Sequence, residues 1–373
     1  MKVPFYTSTR EYVLKKNEFD AAIGKVVEKG NFIMGEQVAE LENEIAQFSG
    51  SKYTVGVANG SDALVIASDI CDLKHDAEVL TPVFTFFAST SCFTRLGAKP
   101  VFCDVEEDTF LMDMNDAGNR ITKKTKGIIP VHLFTQMANM NACMNLAHEY
   151  NLSVIEDSAE AFGMKQKVAG FLKSAGTIGH FGVYSFFPTK TLGCYGDGGM
   201  ILTNEEVLYQ KAKSLRSHGS SKKYHHDYIG YNSRLDTLQA AILQVKLKGI
   251  QESIERRRKH ADRYRALLAD IPQVHLPVIR EGNEPVYYVF CIKADNRDGL
   301  EDYLKANNIG TSVYYPIPLH LQKCFSYLGY KKGDFPVAEN LCSTVLALPM
   351  YPELTEDEII FVCEIIREYY NKK

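Results

Sequence analysis

Short apolar runs alternate with helical patterns through the first two thirds of this chain, and that rhythm restricts the fold more than any other feature. The segment EQVAELENEIAQFSG (36–50) has the apolar spacing of an amphipathic helix closed by glycine; it precedes the strand-like YTVGVA and then NGSDALVIASDI, a glycine turn opening a helix. Further runs of strand character are EVLTP, KPVFCDV, KGIIPVHLF, SVIEDS, GVYSFF and GMILTN, most of them followed by helix-like sequence. Strands separated by helices in this way form a parallel sheet covered by helices, so an α/β fold is expected. From residue 234 the pattern changes to one long helical stretch, RLDTLQ through LLADI (234–271), which reads as a bridge to a second unit. That unit holds a strand (YYVFCIKAD), a helix at 298–306 and a final amphipathic helix (TEDEIIFVCEIIREYY). A chain of 373 residues is long for one core. The expected division is a large domain, 1–249, with a mostly parallel central sheet, and a smaller α+β domain, 250–373.

The balance of 42 basic and 46 acidic residues gives a net charge of −4, with no basic excess to attract nucleic acid. Nine scattered cysteines without CxxC spacing suggest neither a zinc site nor a disulfide framework. A reducing cytoplasm suits such thiols. The charged opening stretch has no signal-peptide character and no later run is long enough to span a bilayer, so no membrane association is expected.

One lysine stands out. In SFFPTKTLGCYGDGG (185–199), Lys190 lies between an apolar run and a loop with four glycines in seven residues. An amine is protonated below about pH 10.4, so nucleophilic use requires partial desolvation or a neighbouring cation. Most loop lysines are simply solvated. Three other stretches give Lys190 company. NGSDAL (59–64) sets a helix N-terminus and the hydroxyl of Ser61 after a strand, an arrangement suited to a phosphate, or a plain helix start capped by Ser61 or Asp62. VIEDSAEAFG (154–163) ends a buried strand in two acids; Asp157 either faces the crevice at the sheet edge or caps the next helix. TPVFTFFAST (81–90) supplies Phe84, Phe86 and Phe87, as a plate for a flat ring or as core. A phosphate cradle, an aromatic plate, an acid and an amine make up the set that pyridoxal 5′-phosphate needs, with Lys190 bonded to the cofactor and Asp157 at the pyridine nitrogen. A P-loop is excluded, because the glycines follow the lysine instead of preceding it.

Over nearly its whole length the chain resembles the PLP-dependent sugar aminotransferases of the DegT/DnrJ/StrS group. The resemblance is most specific in SFFPTKTLGCYGDGGMI, where the family's cofactor-bearing lysine falls on Lys190 and its phosphate-binding serine on Ser185. ANGSDAL implies phosphate contacts from Gly60, Ser61 and Asp62, IEDSAEAFG implies Asp157 at the ring nitrogen, and TFFAST implies Phe86 as the stacking ring. Glu160 stands where the family usually has glutamine, beside the cofactor's ring hydroxyl. IGYNSRLDTLQAAI resembles a stretch that enters the neighbouring subunit's site, which implies Asn232 on the phosphate, Arg234 on the donor carboxylate, and a homodimer with shared sites. TSVYYPIPLH (311–320) resembles a substrate loop, implying Tyr314, Tyr315 and His320 near substrate, with Tyr314 in place of a histidine. The basic stretch 218–230 either meets the substrate's diphosphate or is a solvated loop, and its adjacent His225 and His226 point to opposite sides of an extended chain, against a metal site.

The resemblance implies the fold-type I aminotransferase architecture, pyridoxal 5′-phosphate as cofactor, and transfer of the amino group of L-glutamate, which leaves as 2-oxoglutarate, to a dTDP- or UDP-linked keto sugar in amino-sugar biosynthesis for surface glycans such as lipopolysaccharide. NSRLDTLQA favours C3 amination over C4. The intact Lys190, Asp157 and Ser185 speak against a related sugar dehydratase and against a non-catalytic regulator.

Overall fold

The computed structural model describes residues 1–372. Its centre is a seven-stranded sheet of β1 (Tyr53–Val57), β2 (Glu78–Pro82), β3 (Lys99–Cys103), β4 (Thr125–Ile128), β5 (Ser153–Asp157), β6 (Phe181–Ser185) and β7 (Gly199–Thr203), in the spatial order β1-β7-β6-β5-β4-β2-β3. Only β7 opposes its neighbours; the remaining pairs are parallel. Helices cover both faces, which is why the strands are nearly continuous apolar runs: every residue of β2 and of β7 is buried. The expected α/β architecture with a mostly parallel sheet is therefore present. The helix expected at 36–50 forms as Glu36–Ser49, burying Val38, Leu41 and Ile45, and ends where Gly50 turns left-handed at φ 77°.

The long helix expected over 234–271 is two helices. Residues 234–236 precede the first, Thr237–Leu247, and Gly249 separates it from the second, Ile250–Leu268. The first helix packs in one core and the second spans two, placing Ile250 and Ile254 in the same core as the first helix. The first buries an apolar face including Ala240 and Leu243 against the large sheet's layer, whereas the charged second half keeps only a stripe, Ala261, Tyr264 and Leu268, for the C-terminal unit. Glycine, among the weakest helix formers, sits at the break.

The C-terminal unit is an antiparallel three-stranded sheet, Val274–His275, Phe290–Ala294 and Val345–Leu348, packed by the helices Ile250–Leu268, Arg297–Ala306 and Glu356–Asn371. The last helix opens with a capping box: Glu358 N–H donates to the Thr355 hydroxyl while the Glu358 carboxylate accepts from the Thr355 N–H. No helix among the described residues is long and apolar enough to cross a membrane.

The N-terminal segment belongs with this second core. Val3, at the far end of the chain, is buried among its residues and pairs in parallel with Ile309, its N–H donating to Asn308 and its carbonyl accepting from Gly310. Three residues on, the Tyr6 hydroxyl donates to the carbonyl of Pro188, in the loop that carries Lys190. Phe5 lies between these ties, its ring 6.1 Å from that of Tyr314.

Candidate active site

All the parallel strands of the large sheet end on one edge, and the segments leaving β1, β2, β5 and β6 build a cleft of about 450 Å³ there. Asn59 follows β1 and caps the helix Gly60–Ile70, its side-chain oxygen accepting from the N–H of Asp62 at 2.8 Å. The cap is therefore Asn59, not Ser61 or Asp62. This leaves the N–H groups of Gly60 and Ser61 at the open end of the helix, without an intrahelical acceptor. A Cβ on Gly60 would lie 2.8 Å from that of Ser185, so only glycine lets the helix approach β6 closely enough to put Ser61 and Ser185 on one wall. Asp62 does not line the cleft.

The two acids ending β5 point to opposite faces, as strand geometry requires. Glu156 is fully buried and accepts four hydrogen bonds: from the backbone N–H groups of Gly176, Ile178 and Gly179 at 3.0, 2.6 and 2.7 Å, and from His132 Nε2 at 3.0 Å. The proton is assigned to Nε2 because His132 Nδ1 accepts from Ala138 N–H. Asp157 faces the cleft instead, 4% exposed, with Oδ2 accepting from the Ser89 hydroxyl at 2.6 Å and Oδ1 from Ala159 N–H at 3.2 Å. No helix follows Asp157, so it is not a helix cap. It is a braced carboxylate.

Lys190 Nζ donates to Glu160 Oε1 at 3.1 Å, with the two side chains 15% and 8% exposed. The amine is desolvated, as the sequence argument required, but its partner is an acid and not a cation. Glu160 Oε2 accepts from Phe134 N–H at 3.1 Å. Of the three phenylalanines after β2, Phe86 lines the cleft and is 59% exposed, Phe84 is core, and Phe87 packs on Phe325. Tyr314 and Tyr315 also line the cleft, the Tyr315 ring 6.4 Å from that of Phe86. Burial pushes both phenols well up, so they stay neutral.

Gly60, Ser61, Phe86, Asp157, Glu160, Ser185, Lys190, Tyr314 and Tyr315 are thus brought together. Asn232 and Arg234 are not: they line an adjoining pocket of about 570 Å³ that shares Asn59 and Asp197 with the first. The half-buried Arg234 has no hydrogen-bond or ion-pair partner among the described residues. His320 is outside both pockets and not at the substrate side expected of it; it is buried against Phe335, with Nε2 3.1 Å from Glu339 Oε1. The basic stretch at 218–230 forms a short hairpin, Ser220–Lys222 with His225–His226, which borders a separate surface groove. Sequence reasoning missed Ser89, Thr189, Asp197 and Tyr288. Ser89 lies in the stretch quoted for its phenylalanines, whereas Tyr288 sits in a run that reads only as strand.

The chain matches known proteins over its whole length. A model of the DegT/DnrJ/EryC1/StrS aminotransferase family covers residues 14–367. The chain is 45% identical over 372 residues to a Geobacillus stearothermophilus protein named pleiotropic regulatory protein, covering 99% of each. It is 39% identical over 365 residues to the UDP-N-acetyl-3-dehydro-alpha-D-glucosamine 3-aminotransferase of Acidithiobacillus ferrooxidans, covering 98% of this chain and 97% of that one. The solved structure of DesV from Streptomyces venezuelae superposes with a TM-score of 0.95 at 34% identity, over 99% of this chain and 98% of that one. With the family pattern spanning both units and the same fold in a solved relative, the chain belongs to the DegT/DnrJ/EryC1/StrS aminotransferase family.

Proposed function

We propose that this protein uses pyridoxal 5′-phosphate to move the amino group of L-glutamate to the C3 keto carbon of a UDP- or dTDP-linked sugar. The observation that carries the reading is the pair of Lys190 and the braced Asp157 in one cleft with an unfilled helix N-terminus. These residues fit the cofactor. The N–H groups of Gly60 and Ser61 and the hydroxyls of Ser61 and Ser185 suit a phosphate dianion, Phe86 offers an exposed ring for stacking, and Asp157 suits a protonated pyridine nitrogen. When bound there, the cofactor supplies an electron sink for the carbanion left at the donor's α-carbon. Nζ of Lys190 would take the donor's α-proton and deliver it to the cofactor side, and in the second half-reaction would carry a proton the other way to the sugar carbon being aminated, while Glu160 keeps that amine within reach. Ser89 holds the Asp157 carboxylate in place, and Tyr288, Tyr314 and Tyr315 exclude water.

The names of the Acidithiobacillus relative and of others that act at C3 support the choice of carbon. A regulator, the role in the name of the Geobacillus relative, has no use for a desolvated lysine–acid pair facing an open cleft. Cytoplasmic residence suits the free thiols and the nucleotide-sugar substrate. Incubation with L-glutamate and a panel of 3-keto and 4-keto UDP- and dTDP-sugars, with the product identified by NMR, tests the reading. A 3-amino sugar is the expected result; a 4-amino sugar would move the site of attack, and absence of any amination would overturn the function.

The reading includes a homodimer whose partner chain completes each site. It is supported by the unpartnered Arg234 and by Asn232 in a pocket that abuts the cleft without joining it. Arginine can grip a donor carboxylate through two hydrogen bonds. Mixing inactive Lys190→Ala chains with inactive Arg234→Ala chains is therefore expected to restore about half of wild-type activity per hybrid dimer, one site receiving both residues from different chains. No recovery despite demonstrated subunit exchange would place both residues' action within one chain.

A further inference from the structure

The amine of Lys190 has two neighbours, and only one of them is an acid. Besides its hydrogen bond to Glu160, Nζ lies 4.3 Å from the centre of the Tyr288 ring. That ring is fixed at several points. Tyr288 is 5% exposed, its hydroxyl lies 3.0 Å from Thr189 Oγ1, its N–H donates to the Phe134 carbonyl at 3.0 Å, and its own carbonyl accepts from the buried Arg257 at 3.1 Å. Phe134 also gives its N–H to Glu160 Oε2. Phe134 therefore ties the carboxylate and the tyrosine to one segment, and the amine touches both. Burial raises the phenol well above its ordinary range, so the amine meets a neutral π-face and not a phenolate.

We propose that Tyr288 is a positioning residue for Lys190: the face of its ring, together with Glu160, holds the amine in its ammonium form during the interval in which Nζ carries a proton. The purpose of this arrangement rests on the transaminase reading; the geometry does not. A lysine that accepts a proton from a donor's α-carbon becomes a cation in a water-poor cleft, where a carboxylate alone would draw it aside. A ring face within about 6 Å attracts a cation, more strongly when both are desolvated. The expected bias is about 5- to 20-fold in the ratio of ammonium to free amine. The aromatic face supplies it, and the hydroxyl orients the ring through Thr189 and Tyr314.

The test uses the cofactor-free protein, because only the free amine is acylated. Trace labelling with acetic anhydride at one fixed pH, read by mass spectrometry on the peptide containing Lys190, reports the free-amine fraction. Tyr288→Phe is expected to leave the labelling rate within about twofold, because the ring face remains. Introducing 4-fluoro-, 3,5-difluoro- and 3,4,5-trifluorophenylalanine at position 288 drains the ring face of negative potential with little change in shape. The rate is expected to climb with each fluorine, by about 5-fold or more at the trifluoro ring. A flat rate across the series, or a rise in Tyr288→Phe equal to that of the trifluoro ring, overturns the proposal. The result does not depend on turnover, so a stepped series in a protein that aminates no sugar would sustain the role of Tyr288 while removing the proposed function.

Discussion

Lys190→Ala is expected to lower turnover with L-glutamate by about 10³-fold or more while the protein still binds pyridoxal 5′-phosphate non-covalently. No other amine is among the residues lining the cleft. The remaining titratable side chains there are acids already engaged, Asp157 with Ser89 and Glu160 with Phe134, the solvent-exposed Asp197, and tyrosines such as Tyr288, Tyr314 and Tyr315 whose phenols are held neutral by burial. None has both the position and the basicity to replace Nζ. The proposed phosphate cradle at Gly60, Ser61 and Ser185 is untouched by the substitution, so retention of cofactor after ultrafiltration is expected together with loss of the borohydride-fixable species. Single-turnover kinetics with L-glutamate would check the rate, and a value within tenfold of wild type would show that another group moves the proton.

Asp157→Asn is expected to slow the half-reaction with L-glutamate by about 10²- to 10³-fold, the scale of losing one preorganised electrostatic partner. The variant should stay folded. Asparagine keeps an oxygen that can accept from Ser89 or Ala159, the two bonds that anchor the carboxylate, and the neighbouring Glu156 still ties β5 to the 176–179 turn. Stopped-flow absorbance would follow the half-reaction and urea titration the stability. A variant that unfolds readily but reacts at the wild-type rate would reduce Asp157 to a brace for the turn at Ala159.

The parts of this architecture that could be read beforehand are those governed by local chemistry. Each run of buried strand residues flanked by helix signals became a strand of the large sheet, and Gly50 ended its helix as a left-handed glycine should. The cleft residues at or just after strand ends, Ser61, Phe86, Asp157, Ser185 and Lys190, were readable because a parallel sheet delivers its strand ends and the segments that follow to one edge. What escaped depends on contacts between distant segments. The division at Gly249 escaped because the helical pattern runs on through it, with Leu243 before it and Ile250 and Ile254 after it packing in one core. His320 looked available in PIPLH, yet the fold turns it into an aromatic pocket beside Phe335 with Glu339 as its partner. Tyr288 reached Lys190 from 98 positions away, from the bend just ahead of the strand Phe290–Ala294, where the sequence carries no mark of a site.

The N-terminal segment has a practical bearing on how this protein is made. Residues 3–6 tie the edge at Asn308–Gly310, just ahead of the Tyr314–Tyr315 loop, to the carbonyl of Pro188 beneath Lys190. A preparation started a few codons downstream, or trimmed there by a contaminating protease, would lose the fastening of both loops while keeping every residue that lines the cleft. Such material would pass a check of mass on a gel and of cofactor content, yet dilute any measured rate. Confirming an intact amino terminus by mass spectrometry therefore belongs with each kinetic comparison of variants.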